Sequence, residues 1–196
     1  MKQQIQLRRR EAVDGVELPA DLPPLLQRLY ASRGCAARRS WSAASKACSR
    51  TQLTGVEKAV EMLHDAFQKG LHIVVVGDFD ADGATSTALS VLALRALGYG
   101  NVSYLVPNRF EDGYGLSPEV VDQAHARGAQ MIMTVDNGIS SHAGVDHAHA
   151  LGIPVLVTDH HLPGETLPAA EAIVNPNLRD CDFPSKSLAG VGWRFI

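Results

Sequence analysis

The sequence has few cysteines and no long apolar run. Only three cysteines occur in 196 residues, and none of them forms a C-x-x-C pair. Such sparse usage is typical of a reducing compartment and argues against a secreted scaffold held by disulfides. No apolar run approaches the roughly 20 residues that cross a bilayer, and the basic start lacks the apolar core of a secretory signal. We therefore expect a cytoplasmic protein with no membrane partner.

A strong charge of either sign is also missing. The chain has 18 Lys and Arg against 21 Asp and Glu, a net charge of −3, so composition gives no sign of a basic nucleic-acid binder. Because 45% of the residues are hydrophobic, a chain of this length can bury a core without disulfide or zinc staples. We expect a helical N-terminal extension over residues 1–50 and one larger domain over residues 51–196.

Short apolar runs alternate with helical patterns in the larger domain. Strands are predicted at residues 73–76, 102–106, 131–135, 153–158 and 172–174. A T-x-x-E capping box predicts a helix start at residues 54–57, Ser117 followed by Pro118 predicts another, and a further helix is predicted over residues 84–97. Strands that are apolar throughout and alternate with helices indicate a sheet covered on both faces. The sequence thus predicts an α/β fold with a doubly wound, mostly parallel, five-stranded sheet.

Acidic and imidazole residues stand where three of these strands end. They are Asp78, Asp80 and Asp82 after the first strand, Asp136 at the end of the third, and Asp159, His160 and His161 after the fourth. Ligands of such sheets bind outside the carboxyl ends of the strands, so we expect these side chains at one edge. Carboxylates crowded together raise one another's pKa unless cations neutralise them. Oxygen ligands suit Mg²⁺ and Mn²⁺, histidine shifts the preference toward Mn²⁺, and a pair of such ions catalyses phosphoester hydrolysis.

Each of these motifs also permits another interpretation. DFDADG also matches the start of a calcium loop, but Leu89 stands where that loop requires a bidentate Glu. Asp82 could cap a helix, and Asp78 could support the metal ligands without binding a metal itself. Arg109, in the PNRFEDGYG segment after the second strand, belongs to a connector or clamps a phosphate. Residues 188–192 form a tight turn or a backbone phosphate contact. A nucleotide-binding module would carry G-x-G-x-x-G where this chain has D-x-D-x-D.

Taken together, the three acidic motifs resemble the first three motifs of the DHH phosphoesterase superfamily. Within it, GDFDADGATSTA, VPNRFEDGYGLS, VDNGISS and TDHHLPG are similar to segments of the RecJ exonucleases. The resemblance extends over the opening MKQQIQLRRRE, the helix near residues 18–33, and residues 51–192. It implies two ions, Mg²⁺ or Mn²⁺, and a domain of the DHH type over residues 51–196.

The resemblance also implies roles for individual residues. The metal ligands would be Asp78, Asp80, Asp82, Asp136 and His160, with Asp136 bridging the ions and Asp78 either ligating or orienting. Asp159 would ligate or orient within the catalytic apparatus, and His161 would contact the scissile phosphate. The implied activity is 5′→3′ removal of mononucleotides from single-stranded DNA in DNA recombination and repair, including mismatch repair. Implied partners are a single-strand-binding protein and a helicase. A phosphoesterase for pyrophosphate, cyclic dinucleotides or short oligonucleotides is the alternative within the superfamily.

The chain departs from the family pattern in three places. The fourth motif, a second catalytic domain and an OB-type DNA-binding domain would follow residue 196, so we expect a truncated protein without measurable exonuclease activity on its own. Residues 34–50, GCAARRSWSAASKACSR, contain no acidic residue and do not resemble the family. Residues 193–196 also diverge. We hypothesise a reading-frame error in both stretches, which resequencing the DNA would test.

Overall fold

The computed structural model describes Gln27 and residues 53–108, 110–186 and 188–193. The chain divides into two compact units, Met1–Ala47 and Cys48–Ile196. All described residues except Gln27, which is helical, belong to the second unit. The predicted helical extension, the anomalous stretch over residues 34–50 and the final residues 194–196 therefore lie outside the described residues and stay predictions.

In the part of the chain that the structure describes, five strands form one parallel sheet. They are β1 (Ile73–Val76), β2 (Val102–Leu105), β3 (Met131–Val135), β4 (Val155–Thr158) and β5 (Ala172–Val174). Their order is β2-β1-β3-β4-β5, and every neighbouring pair is parallel. All carboxyl ends therefore point to one edge. The predicted α/β class is confirmed, and each strand boundary lies within two residues of its prediction.

Helices cover both faces of this sheet. Helices α1 (Val56–Lys69) and α2 (Ala81–Ala96) pack on one face, and α3 (Pro118–Ala126) and α4 (His142–Ala150) pack on the other. This burial on two sides explains the apolar strands, since all four residues of β1 are buried. A short helix α5 (Gly190–Trp193) packs against α2. None of the described helices combines the length and apolar character needed to cross a bilayer.

Two helices begin differently from their predictions. The capping box at the start of α1 is wrong, because the Thr54 hydroxyl donates to the Asp180 carbonyl instead. Gly55 precedes the helix with φ 86°, and a Cβ there would lie 2.1 Å from the Ile173 carbonyl oxygen, so only glycine fits. Helix α2 begins three residues before the predicted position, because Asp80 caps it.

The predicted start of α3 is confirmed. Its N-cap is Ser117, whose hydroxyl accepts a hydrogen bond from the Val120 N–H, and Pro118 occupies the first helical position. This start fixes where the chain leaves the connection after β2 and returns to the sheet. It therefore also fixes the end of the loop that carries the PNRFEDGYG segment.

Candidate metal centre

The sheet edge brings the acidic and imidazole side chains together. Two groups have ligand atoms that all lie within 4.8 Å of one another: Asp136 with His160 and His161, and Asp136 with Asp78 and Asp80. Asp136 belongs to both groups. It is therefore placed to contribute to two neighbouring cation sites, whereas a chance surface cluster would not share a buried carboxylate.

Asp136 has an unusual backbone and an unusual side chain. It is the only non-glycine residue with positive φ (64°) among the described residues, a conformation that favours glycine. The next residue, Asn137, holds this turn by donating from its side chain to the carbonyls of Val76 and Val135. Asp136 is 1% exposed, and its Oδ1 accepts no hydrogen bond from the residues that the structure describes. A buried acceptor without a donor is costly and indicates a missing partner.

His160 faces this oxygen with a nitrogen that carries a lone pair. Its Nδ1 lies 3.1 Å from the Leu188 carbonyl, which can only accept, so we assign the hydrogen to Nδ1. Its Nε2 then directs a lone pair toward the Asp136 Oδ1, 2.8 Å away. Two such atoms repel each other unless a proton or a metal cation lies between them. A histidine oriented by a carbonyl is typical of metal ligands, so the donor set fits a divalent cation.

Asp82 lies across from His160, with its Oδ2 3.6 Å from the histidine Nε2. The start of α5 binds this carboxylate, because the N–H groups of Gly190 and Val191 donate to it over 2.7 and 2.8 Å. Burial acts to raise the pKa of Asp82, but these N–H groups and His160 outweigh it, and the pKa is lowered. A Cβ on Gly190 would lie 2.8 Å from the Asp136 Oδ1. Residues 188–192 thus contain a short helix that binds a carboxylate.

Asp78 and Asp80 complete the acidic edge. Asp78 is 5% exposed, and its Oδ1 accepts from the Phe79 N–H over 2.6 Å. Asp80 is exposed and caps α2, since its Oδ1 accepts from the Gly83 N–H over 2.8 Å. The described contacts of Asp80 engage one oxygen and leave the second available to a cation, whereas Asp78 also forms a side-chain hydrogen bond with Tyr114. Helix capping and metal ligation are therefore compatible in Asp80.

Asp159 is engaged by protein donors on both oxygens. Its Oδ1 accepts from the N–H groups of His160 and His161 and from the His161 Nδ1, and its Oδ2 accepts from the Ile139 N–H. Burial alone would raise the pKa of Asp159, but these hydrogen bonds lower it below its ordinary value. The hydrogen bond between the His161 Nδ1 and the Asp159 Oδ1 in turn raises the pKa of His161. Of the two roles predicted for Asp159, this geometry suits orienting His161.

Several residues at this edge were missed by the sequence analysis. The Asn175 side chain donates to the His161 carbonyl and the Asn177 side chain to the His160 carbonyl, so an N-P-N segment after β5 holds both histidines. The hydroxyl of Tyr114 lies 3.4 Å from the His161 Nε2. Amide side chains flanking a proline after a strand were the available signal. Arg109, the predicted phosphate clamp, lies outside the described residues.

An open cavity of about 910 Å³ adjoins the carboxylates. Its walls include Asp78, Asp80, Asp159 and His161, and its apolar part includes Phe79 and Tyr114. The volume is in the range typical of small-ligand sites. A nucleotide-sized ligand could thus reach the acidic edge through this cavity.

The two roles of Asp80 can be separated by one substitution. Asp80→Ser keeps a good N-cap residue and removes the carboxylate, so we expect melting of the metal-free protein to change little. Removal of a group that only hydrogen-bonds to a metal ligand already weakens metal binding by about tenfold or more. We therefore expect the loss of Asp80, a ligand itself, to weaken Mn²⁺ binding by at least about that factor. Calorimetric Mn²⁺ titration and thermal melting measure the two effects. Unchanged Mn²⁺ affinity would reduce Asp80 to a helix cap.

The chain matches known proteins along its whole length. Residues 72–196 match the DHH family, N-terminal domain. The chain is 74% identical over 196 residues, its whole length, to the single-stranded-DNA-specific exonuclease RecJ of Escherichia coli (strain K12), and 74% identical over the same length to that of Salmonella typhimurium (strain LT2). It covers 34% of each of these relatives, so it spans about a third of their length.

A solved structure shares the fold. The crystal structure of exonuclease RecJ bound to manganese is 39% identical, with a TM-score of 0.64 over 71% of this chain and 35% of that one.

Proposed function

The chain belongs to the DHH family, and from that premise we propose that its domain provides the metal centre of a 5′→3′ exonuclease acting on single-stranded DNA. Support comes from the relatives named as single-stranded-DNA-specific exonucleases and from the manganese-bound structure that shares this fold. The reaction would be hydrolysis of a phosphodiester bond. Because the chain spans about a third of those relatives, the rest of such an enzyme would supply further DNA contacts.

The proposed cofactor is a pair of Mg²⁺ or Mn²⁺ ions. The residues that would hold it are Asp78, Asp80, Asp82, Asp136 and His160, with Asp136 shared between the ions. When bound, divalent cations lower the pKa of the attacking water and stabilise charge on the phosphate oxygens. Among these carboxylates, Asp82 has a lowered pKa, since two backbone N–H groups and His160 outweigh the effect of its burial.

His161 is proposed to contact the scissile phosphate. Asp159 accepts from the His161 Nδ1 over 2.7 Å, which directs the opposite ring nitrogen away from the protein interior. His161 lines the cavity, and its hydrogen bond with Asp159 raises the pKa of the imidazole. An imidazole whose protonated form is favoured next to a phosphate stabilises the negative charge of that phosphate. Arg109 is proposed as a second phosphate contact.

One observation carries the proposal most directly. The buried Asp136 Oδ1 has no hydrogen-bond donor among the described residues and lies 2.8 Å from the His160 Nε2. A structural ion pair would align a proton between these atoms, and a nucleotide-binding module without metal would place donors there. A divalent cation would satisfy both the orphan oxygen and the facing lone pair.

The test compares two substrates. A polypeptide of the relatives' length that carries this chain should remove mononucleotides from the 5′ end of a long labelled strand and leave pyrophosphate intact. Preference for pyrophosphate, cyclic dinucleotides or short oligonucleotides would instead support the alternative within the family. The 196-residue chain by itself should show no measurable digestion, and rapid Mn²⁺-dependent digestion by it would contradict that expectation.

We also infer a cellular setting from the same family relationship. The proposed setting is DNA recombination and repair in the cytoplasm, including mismatch repair. The proposed partners are a single-strand-binding protein and a helicase. Co-purification of either partner with the tagged full-length protein, in the presence of nuclease to remove bridging DNA, would test this inference.

A further inference from the structure

The loop between β2 and α3 is built to hold one side chain in place. The Asn108 carbonyl accepts from the N–H groups of Glu111 and Asp112, which closes a turn. The Asp112 carboxylate accepts from the Asn108 N–H over 2.7 Å and from the Gln123 side chain over 2.8 Å. The loop is therefore fastened to itself and to α3. Its next three residues, Gly-Tyr-Gly, lead across the edge of the sheet.

The two glycines determine where Tyr114 lies. Gly113 and Gly115 have φ values of 79° and 73°, a region that favours glycine over other residues. A Cβ on Gly115 would lie 3.2 Å from the Ser141 hydroxyl, so the chain passes close to α4 at this point. Reversal on both sides of Tyr114 projects its side chain toward the carboxyl end of β3. The G-Y-G sequence thus places a tyrosine over Asp136.

The Tyr114 hydroxyl lies among the groups of the candidate centre. It is 3.4 Å from the His161 Nε2 and 3.5 Å from the Asp136 carbonyl oxygen. Its ring contacts the His161 ring edge-on with centroids 6.1 Å apart, and the Phe79 ring in the same way at 6.2 Å. Tyr114 and His161 both line the cavity. The ring contacts fix the hydroxyl, and its contacts with His161 and the Asp136 carbonyl are long. Burial, and after it the neighbouring Asp78 carboxylate with which the hydroxyl also forms a hydrogen bond, raise the pKa of Tyr114, so the hydroxyl keeps its proton.

A phosphate entering this cavity meets an acidic wall. Asp78 and Asp159 line it, and Asp136 lies behind the hydroxyl. Carboxylates repel a phosphate, so oxygens not held by cations require donors. Tyr114 supplies an uncharged donor next to His161. Its hydroxyl lies 3.4 Å from the His161 Nε2, so both groups can reach one phosphate oxygen.

We propose that the Tyr114 hydroxyl donates a hydrogen bond to a nonbridging oxygen of the bound phosphate, beside His161, and is thus a catalytic residue. This inference rests on the proposed phosphodiesterase function. It assigns a role to the PNRFEDGYG segment that a connector would not have. The hydroxyl strengthens phosphate binding without contributing a metal ligand, so metal and phosphate affinity should respond separately to its removal.

The test uses Tyr114→Phe in the Mn²⁺-loaded chain, with inorganic phosphate as the probe. This change keeps the ring and removes only the hydroxyl. We expect phosphate affinity to fall about tenfold to a hundredfold, the usual effect of losing a hydrogen bond to a charged group. Mn²⁺ affinity and thermal melting should be unchanged. Calorimetric titration measures both affinities.

The matched control is Tyr104→Phe, which removes the hydroxyl of a 57% exposed tyrosine on β2 that does not line the cavity. It should bind phosphate like the parent chain. Equal phosphate affinity in Tyr114→Phe and the parent would overturn the inference and leave the proposed function standing. Failure of the Mn²⁺-loaded parent to bind phosphate would overturn the inference alone, because the proposed function is tested separately by digestion of a long labelled strand with the polypeptide of the relatives' length.

Discussion

Asp136→Asn should weaken Mn²⁺ binding by about 100-fold or more and, in the same protein, stabilise the metal-free fold. The first effect follows because this carboxylate belongs to both groups of potential ligands, so its loss affects both ions. The second follows because Asp136 is a buried carboxylate whose Oδ1 has no donor among the described residues. If Asp136 served to stabilise the fold, Asp136→Asn would instead destabilise the metal-free protein.

The pH dependence of the second effect has a definite sign. Burial, followed by the charge of Asp82, raises the pKa of Asp136 from 3.8 to about 6, and the opposing effect of His160 does not cancel this. The folded state thus binds the proton more tightly than the unfolded state. Stability from this group is fully present below pH 3.8 and is lost as the pH rises through about 6. The advantage of Asp136→Asn should therefore be largest above pH 7 and vanish near pH 3.

Thermal melting with and without Mn²⁺ measures both effects in one series. The control is Asp146→Asn, which removes an exposed carboxylate from α4 and should change neither the melting temperature nor its rise with Mn²⁺. Asp136→Asn should melt higher than the parent without metal at pH 8, and should show little further rise when Mn²⁺ is added. A lower melting temperature without metal, together with an intact response to Mn²⁺, would contradict the assignment.

Asp159→Asn should have a large effect of the opposite sign. Both oxygens of Asp159 accept from protein donors, three of them backbone N–H groups and one the His161 ring. An asparagine presents an NH₂ group where one of these oxygens was, so at least one buried donor loses its acceptor. We expect a loss of about 3 kcal/mol in the free energy of unfolding, the order expected for buried donors without partners.

The pH dependence of Asp159 runs opposite to that of Asp136. Its pKa is lowered in the folded protein, because hydrogen bonds outweigh burial. Its contribution is therefore present above the ordinary value of 3.8 and is lost as the pH falls through the folded pKa. Urea unfolding at pH 7 and at pH 3 should show the destabilisation of Asp159→Asn shrinking at the lower pH. A constant difference at both values would indicate that the charge of Asp159 is unimportant.

Much of the site could be predicted from the sequence because parallel strands end at the same edge. Once the apolar runs were assigned to strands, the acidic residues that follow β1 and β3 had to lie near the DHH motif after β4. The periodicity of the sequence contains this information. The prediction that these motifs meet at one edge does not depend on the exact packing of side chains.

The contacts that the sequence did not reveal are those between distant segments. The N–H groups of Gly190 and Val191 bind Asp82, 108 and 109 residues earlier in the chain. The capping box failed at Thr54 for the same reason, since its hydroxyl donates to Asp180. Local motifs report the possible hydrogen bonds of a segment. Tertiary packing decides which of them form.

The position of the Tyr114 side chain also could not be predicted from the sequence. Two glycines predict a reversal of the chain, but the direction of the side chain depends on how the loop is fastened through Asp112 to α3. The sequence therefore left the loop open as a connector or as a phosphate clamp through Arg109. The proposed role of Tyr114 follows from the position of its hydroxyl in the structure, 3.4 Å from the His161 Nε2.

Anomalous X-ray diffraction from crystals of the protein grown with Mn²⁺ tests the central claim most directly. Two manganese peaks are predicted at the carboxyl edge of the sheet, with an Asp136 oxygen coordinated to both and the His160 Nε2 coordinated to one. Their separation should be about 3.5–4 Å. Manganese bound elsewhere, or no peak within coordination distance of Asp136 and His160 at saturating Mn²⁺, would contradict the account.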